Sequence, residues 1–169
     1  QNENRSLVSM GLDYLNSKPK NPGIQALIEV SELTQVKAWH FGFVLGPKLN
    51  AAGRLGEANH VVDLLTGSDP EKLRQLAQFL SDENRKRQDL ESTILEAALA
   101  QVESQELYKD DIIIVVGEKW HSGVIGIVAS RIQEQYYNPV IVISVEDGIG
   151  KASCRSVEGF NIFAALQSC

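Results

Sequence analysis

Apolar positions in the first two thirds of this 169-residue chain recur at helical spacing, and in the last third they give way to strand-like runs. Leu7, Gly11, Leu12 and Leu15 lie on one face of a helix predicted over residues 5–16. "NSKPKNPG" breaks that helix with Pro19 and Pro22, and "IQALIEVSEL" predicts a second short one. The next stretch, "WHFGFVLGPKLNAAGRLGEANHVVDLLTG", mixes small, apolar and punctuating residues. It predicts a Gly-interrupted helical and loop region that ends in a helix near residues 56–65. Within it Gly46 and Pro47 are expected to exclude a regular helix or a central strand.

Ser68, Asp69, Pro70 and Glu71 form a helix start: capping oxygens, a Pro where its missing N–H does no harm, and an acid at the positive end of the dipole. From there to about Gln105 no Gly or Pro interrupts the chain. At 1.5 Å per residue this is a helix of roughly 50 Å, too long for the interior of a small domain. Leu73, Leu76, Ala77 and Leu80 form one apolar stripe and Leu90, Ile94, Ala97, Ala98 and Val102 another, with "SDENRKRQD" between them polar on every side. A helix wet in its middle and apolar at both ends predicts an interdomain strut. The alternative is a helical hairpin bent near Asp82 to Asn84, but the bend lacks the Gly or Pro that a tight turn uses.

"DIIIVV" (111–116) and "PVIVISV" (139–145) have the length of buried strands, and "GVIGIVASRIQEQY" between them is helical. The three make a strand-helix-strand unit with a parallel pair. Asp147-Gly148 supplies a tight turn, "GKASCRSV" a further strand and "NIFAALQS" another helix, so the last third is α/β.

Composition refines this outline in three ways. With 43% apolar and 22% charged residues the chain is of the globular class rather than disordered. Lys and Arg number 16 against 22 Asp and Glu, so no general field draws it to nucleic acid or an anionic membrane; phosphate binding has to come from a few focused donors. Cys154 and Cys169 are too few for a secreted framework, which fits a reducing compartment, and no apolar stretch approaches the roughly 18 to 20 residues of a membrane span. The expected location is the cytoplasm. The opening "QNENRSLV" has neither an initiator Met nor a signal pattern, and "FNIFAALQSC" stops inside an apolar helical pattern, so both ends are expected to be cut.

Two places carry candidate chemistry. In "KASCRS" alternation puts Lys151, Ser153 and Arg155 on one face of a strand, with Ala152 and Cys154 on the other. A hydroxyl flanked by cations suits the oxygens of a phosphate, and Arg engages two of them at once. A solvated face of an edge strand would have the same pattern. In "WHSGVIG", Gly123, Gly126 and Ser130 lie on one helix face, where each Gly costs about 1 kcal/mol relative to Ala. Close packing on the sheet or backbone N–H groups offered to an anion would each explain that. His121 is open to two readings, a polar contact to substrate or an exposed helix-start residue.

Other motifs fail. "DGIGKAS" has Ala152 where a phosphate-binding loop needs Ser or Thr for magnesium, no Gly-x-Ser-x-Gly occurs, and His40, His60 and His121 are scattered. No catalytic residue and no metal ligand is expected in this chain.

Taken in order, "GPKLNAAGRLG", the long helix, "WHSGVIGIVASR" and "GKASCRSVEGFNIFAAL" resemble the RecJ family of bacterial single-strand-specific DNA exonucleases, in the DHH phosphoesterase superfamily. The resemblance covers nearly the whole chain. It implies an α/β fold in which residues 1–67 are the helical tail of a catalytic domain, 68–106 a long linking helix, and 107–169 the first part of the DHH-associated α/β domain. It implies single-stranded DNA as substrate, degraded 5′ to 3′ in DNA repair and recombination. It also implies Mn2+ or Mg2+ held by Asp and His motifs upstream, and a monomer that works with a single-strand-binding protein and a helicase and not at a membrane.

Carried over residue by residue, the family's Asn-Ala-x-Gly-Arg motif falls on Asn50 to Arg54, and Arg54 corresponds to a ligand of the 5′-terminal phosphate. Ser153 and Arg155 match its Ser-x-Arg partners for the same group. Asn50 and His121 are further candidates for contact with the strand. On this reading Ala51, Ala52 and Gly53 let the DNA end come close, and Ala152, where the family often has Gly, narrows the approach with its methyl group. The bland alternative for Arg54 is an ion pair with Glu57, worth only about 0.2 to 0.5 kcal/mol. Two other functions stay open: a DHH phosphoesterase acting on short oligonucleotides or cyclic dinucleotides, and a non-catalytic module that docks DNA ends or a protein.

Overall fold

The computed structural model describes residues 2–17, 21–56 and 58–169. The predicted break at Pro19 and the Glu57 partner proposed for Arg54 lie outside these residues. The chain forms two compact units, Gln1–Arg87 and Gln88–Cys169.

The first unit is helical. α1 (Asn2–Ser17) and α2 (Pro22–Val30) fall where the apolar spacing predicts them. Asn21 caps α2, its Oδ1 accepting from the Ile24 N–H at 2.9 Å, while its Nδ2 donates to the Leu65 carbonyl at 2.9 Å and ties the cap to α5 (Asn59–Thr66). A Cβ on Gly23 would lie 1.9 Å from the carbonyl oxygen of Leu64, so only glycine lets these two helices lie this close. Leu27, Leu45, Ala52, Leu64, Leu73, Ala77 and Leu80 form the core.

The expectation that Gly46 and Pro47 exclude a regular helix is overturned. α3 (Ala38–His40) runs through a π-helical turn (Phe41–Leu45) into α4 (Gly46–Leu55), and the whole motif is helical. The physical reason lies in the π turn. The Gly46 N–H bonds to the Phe41 carbonyl, five residues back, and a Cβ on Gly46 would stand 2.4 Å from that oxygen. Pro47 then falls in the first turn of α4, where a missing N–H leaves no helix bond unmade. Gly56 ends α4 in the left-handed conformation, with φ 100°, as a C-terminal cap.

α6 (Pro70–Ser104) is one unbroken helix of 35 residues, which excludes the hairpin. Its cap is Asp69, whose Oδ1 accepts from the N–H groups of Glu71 at 3.0 Å and Lys72 at 3.4 Å. The middle is less wet than its composition implies. Glu83 and Asn84 are buried, Glu83 bonded to Lys86 at 2.6 Å and Asn84 accepting from Arg87 at 3.1 Å. Polar side chains three apart on a helix can satisfy one another and so tolerate cover. The second stripe is narrower than predicted: Ile94, Ala98 and Val102 are buried, whereas Leu90 and Ala97 are exposed.

The second unit is α/β. β1 (Ile113–Glu118) pairs in parallel with β2 (Val140–Glu146) through the crossover helix α7 (Ile125–Tyr136), as the strand-helix-strand pattern requires. β2 pairs antiparallel with β3 (Ile149–Arg155), giving the order β1-β2-β3. The hairpin turns on Asp147 and Gly148, with φ 51° and 75°, the values that an Asp-Gly pair adopts in a tight turn. α8 (Ile162–Gln167) starts at Asn161, which accepts from the Ala164 N–H at 3.0 Å.

One face of the sheet packs with α7 and the second half of α6 around Ile113, Val115, Val140 and Val142. The other face is only partly covered. Ile114 and Val116 are each 46% exposed, so "DIIIVV" is a half-buried strand and not a fully buried one. The outer edge of β1 is closed by a side chain: Gln101 of α6 donates to the Val116 carbonyl at 2.8 Å and accepts from its N–H at 3.2 Å. The amide thus supplies the donor and acceptor of an absent strand.

Candidate functional site

Register sets which residues of β3 face α7. Ser153 pairs with Val142 and Arg155 with Val140, both partners belonging to the buried face. Ser153 and Arg155 therefore point at the helix, while Ala152 and Cys154, opposite Ile143 and Ile141, point away. This settles the concern over Ala152. Its methyl is on the far side of the sheet from Ser153 and narrows nothing there.

The Arg155 guanidinium is half-buried and held by neutral oxygens. Its Nε–H donates to Ser130 Oγ at 2.7 Å, and Nη1 donates to the Cys154 carbonyl at 2.8 Å and to Ser153 Oγ at 3.4 Å. Ser130 Oγ in turn donates to the Gly126 carbonyl at 3.1 Å. Gly126 and Ser130 are one helical turn apart on α7. A Cβ on Gly126 would stand 3.0 Å from Ser153 Oγ and 3.3 Å from Arg155 Nη2. Glycine at 126 leaves the guanidinium and the hydroxyl their room. Among the described residues no carboxylate pairs with Arg155. A cation drawn partly out of water with neutral partners only is a ready receptor for an anion, and the Arg fork presents two donors to it.

His121 sits just before α7, half-buried. Its Nδ1 accepts from the Gly123 N–H at 3.1 Å and its carbonyl accepts from the N–H groups of Val124 at 2.9 Å and Ile125 at 3.2 Å. It closes the turn that enters the helix. Accepting at Nδ1 leaves the ring's other nitrogen as the donor in the neutral form. Gly123 is in this turn and not on α7, so the glycine face expected at 123 and 126 is reduced to Gly126 and Ser130. Trp120 lies flat over Gly117, where a Cβ would be 2.0 Å from its ring; this fixes the segment that carries His121.

Asn50 and Arg54 are both exposed on α4, in the first unit. Ala51 and Ala52 are fully buried, so they serve helix packing and do not admit a DNA end, while Gly53 is exposed with open space about it. Lys48, in the same motif, is half-buried and donates to Ser31 Oγ at 2.8 Å. Burial, and then the nearby Arg85 charge, hold its ammonium below the usual lysine range despite Asp82. Sequence reasoning passed over Lys48, since nothing local marks it as covered.

Ser153 and Arg155 are thus brought together with Ser130 and Gly126 inside one unit. Spacing on the helix pairs 126 with 130, but only the sheet register shows that they face Arg155. Among the described residues no group of three or more His, Cys, Asp or Glu side chains is arranged to hold a metal ion. No helix among them is long and apolar enough to cross a membrane.

Residues 109–169 match the DHHA1 domain. Over 97% of its length the chain is 40% identical to the single-stranded-DNA-specific exonuclease RecJ of Dickeya dadantii, and over 99% it is 37% identical to that of Bacillus subtilis. It spans only 30% and 22% of those two proteins. The crystal structure of Thermus thermophilus RecJ in complex with Mn2+ superposes with a TM-score of 0.81 at 34% identity, covering 98% of this chain and 24% of that one. A second structure, exonuclease RecJ bound to manganese, gives 0.84 at 33% identity, covering 97% of this chain and 40% of that one. Residues 109–169 are a DHHA1 domain, and the chain as a whole belongs to the RecJ family, aligning with one segment of its longer members.

Proposed function

We propose that this chain recognises the 5′ end of single-stranded DNA within a metal-dependent exonuclease that degrades the strand 5′ to 3′. The observation that carries the proposal is the half-buried Arg155 guanidinium, bound only to neutral oxygens beside Ser153. Its charge is compensated when a terminal phosphate docks, and the Ser153 hydroxyl donates to a second phosphate oxygen. Arg54 is a further candidate donor to phosphate, with Asn50 and His121 as contacts to the strand. The identity with RecJ exonucleases along the whole chain supports the substrate class.

Phosphate contacts fix position and register but carry no base information, so end recognition of this kind is indifferent to sequence. The metal belongs to the longer protein. Divalent ions activate water and stabilise the leaving oxygen in such hydrolysis, and Mn2+ and Mg2+ are present in the related Thermus structures. This chain's residues do no part of that chemistry; they hold the strand end still while it occurs. Repair and recombination are the processes that consume such an activity, the cytoplasm its location, and a single-strand-binding protein and a helicase its suppliers of substrate.

The test is a comparison of strands with a 5′-phosphate and a 5′-hydroxyl. Arg54→Ala and Arg155→Ala in the full-length protein should each erase the advantage of the phosphorylated strand and flatten the salt dependence of binding. Equal losses on both strands would reject the phosphate assignment.

A further inference from the structure

We infer that Ser130 is a positioning residue for Arg155, selecting which edge of the guanidinium meets the terminal phosphate; the inference rests on the phosphate reading above. Arg155 leaves an edge strand on a long flexible stem, and its fork has five donors that point in three directions. Ser130 Oγ takes the Nε–H at 2.7 Å, the shortest of the side chain's bonds, and is itself oriented by donating to the Gly126 carbonyl at 3.1 Å. The Cys154 carbonyl and Ser153 Oγ take Nη1. Among the described residues these bonds use Nε and Nη1, which leaves the Nη2 edge for the ligand. Of the guanidinium atoms, Nη2 lies nearest the space that Gly126 keeps open, 3.3 Å from where a Cβ would stand.

A serine one turn into α7 is well suited to this task. The helix fixes its Cα, the hydroxyl's single proton is committed to the carbonyl four residues back, and its lone pairs are thereby turned toward Arg155. An Arg whose Nε is already held loses less freedom when it binds than one that must be ordered by the phosphate itself.

The experiment measures, in the full-length protein, the ratio of affinities for otherwise identical single strands bearing a 5′-phosphate or a 5′-hydroxyl. Ser130→Ala should lower that ratio by about five- to tenfold, the net size of an ordinary hydrogen bond, with little change for the hydroxyl strand. Ser130→Thr, which keeps the hydroxyl, should restore most of it, and Ser130→Cys, of similar size but a weak acceptor, should behave like Ala. In an Arg155→Lys background, which has no Nε–H, Ser130→Ala should have no further effect on the ratio. If Arg155→Ala abolishes the preference while Ser130→Ala and Ser130→Cys leave it intact, the positioning role is wrong and the phosphate reading stands. If Ser130→Ala weakens both strands equally, or acts undiminished in the Lys background, Ser130 is structural and the inference is overturned. If Arg155→Ala itself leaves the preference intact, the phosphate reading fails first.

Discussion

Gly126 lies so close to Ser153 that a Cβ built on it would stand 3.0 Å from the serine Oγ and 3.3 Å from Arg155 Nη2. Gly126→Ala therefore places a methyl group where the guanidinium and hydroxyl converge. The same change raises helix propensity by about 0.8 to 1 kcal/mol, so the fold should hold or gain in denaturant while the preference for a 5′-phosphate falls. Paired measurements of unfolding midpoint and end preference check this separation.

Gly117 and Trp120 form a second tight pair, with the ring 2.0 Å from where a Cβ would be. Gly117→Ala should destabilise the second unit by about 1 to 3 kcal/mol, because the ring must leave its place against β1 and strain the turn that carries His121. Denaturant unfolding gives the loss, and a red shift of tryptophan emission in the native state would report the displaced ring.

At the edge of β1 the Gln101 amide bonds both backbone groups of Val116. Gln101→Ala should cost about 0.5 to 1.5 kcal/mol and speed amide exchange at Val116. Gln101→Glu keeps the acceptor for the N–H and loses the donor to the carbonyl, so its exchange rate should fall between the two.

The Tyr136 hydroxyl donates to Glu103, and that bond, followed by partial burial, pushes the phenol up to about 12 from the usual 10.0. The folded state holds the phenolic proton more tightly than the unfolded state. The stability this contributes is full below pH 10.0 and is lost as pH rises through about 12. Tyr136→Phe should lower stability at neutral pH and remove that part of the alkaline decline, and phenolate absorbance should lose its latest-titrating component.

The sequence is most informative where periodicity and caps agree. Asp69 and Pro70 start α6, Asp147-Gly148 turns the hairpin, and the β1-α7-β2 crossover follows from two β-branched runs about a helix. It misleads where a tertiary feature reverses a local rule. Gly46 and Pro47 would break an ordinary helix, but a π turn uses the first and tolerates the second. Glu83 and Asn84 are buried with neighbours on the same helix satisfying them, which composition does not reveal. At the candidate site, alternation identifies Ser153 and Arg155 as a pair. The part played by Ser130 and Gly126 depends on how α7 lies against β3, a relation between elements that no local pattern encodes.

The most direct test is a crystal structure of the full-length protein with a 5′-phosphorylated single strand. The account requires the terminal phosphate oxygens at roughly 2.7 to 2.9 Å from the guanidinium nitrogens of Arg155, with the Ser153 hydroxyl on the same group. A terminal phosphate held by other side chains, with Arg155 still bound only to Ser130, Ser153 and Cys154, would contradict it.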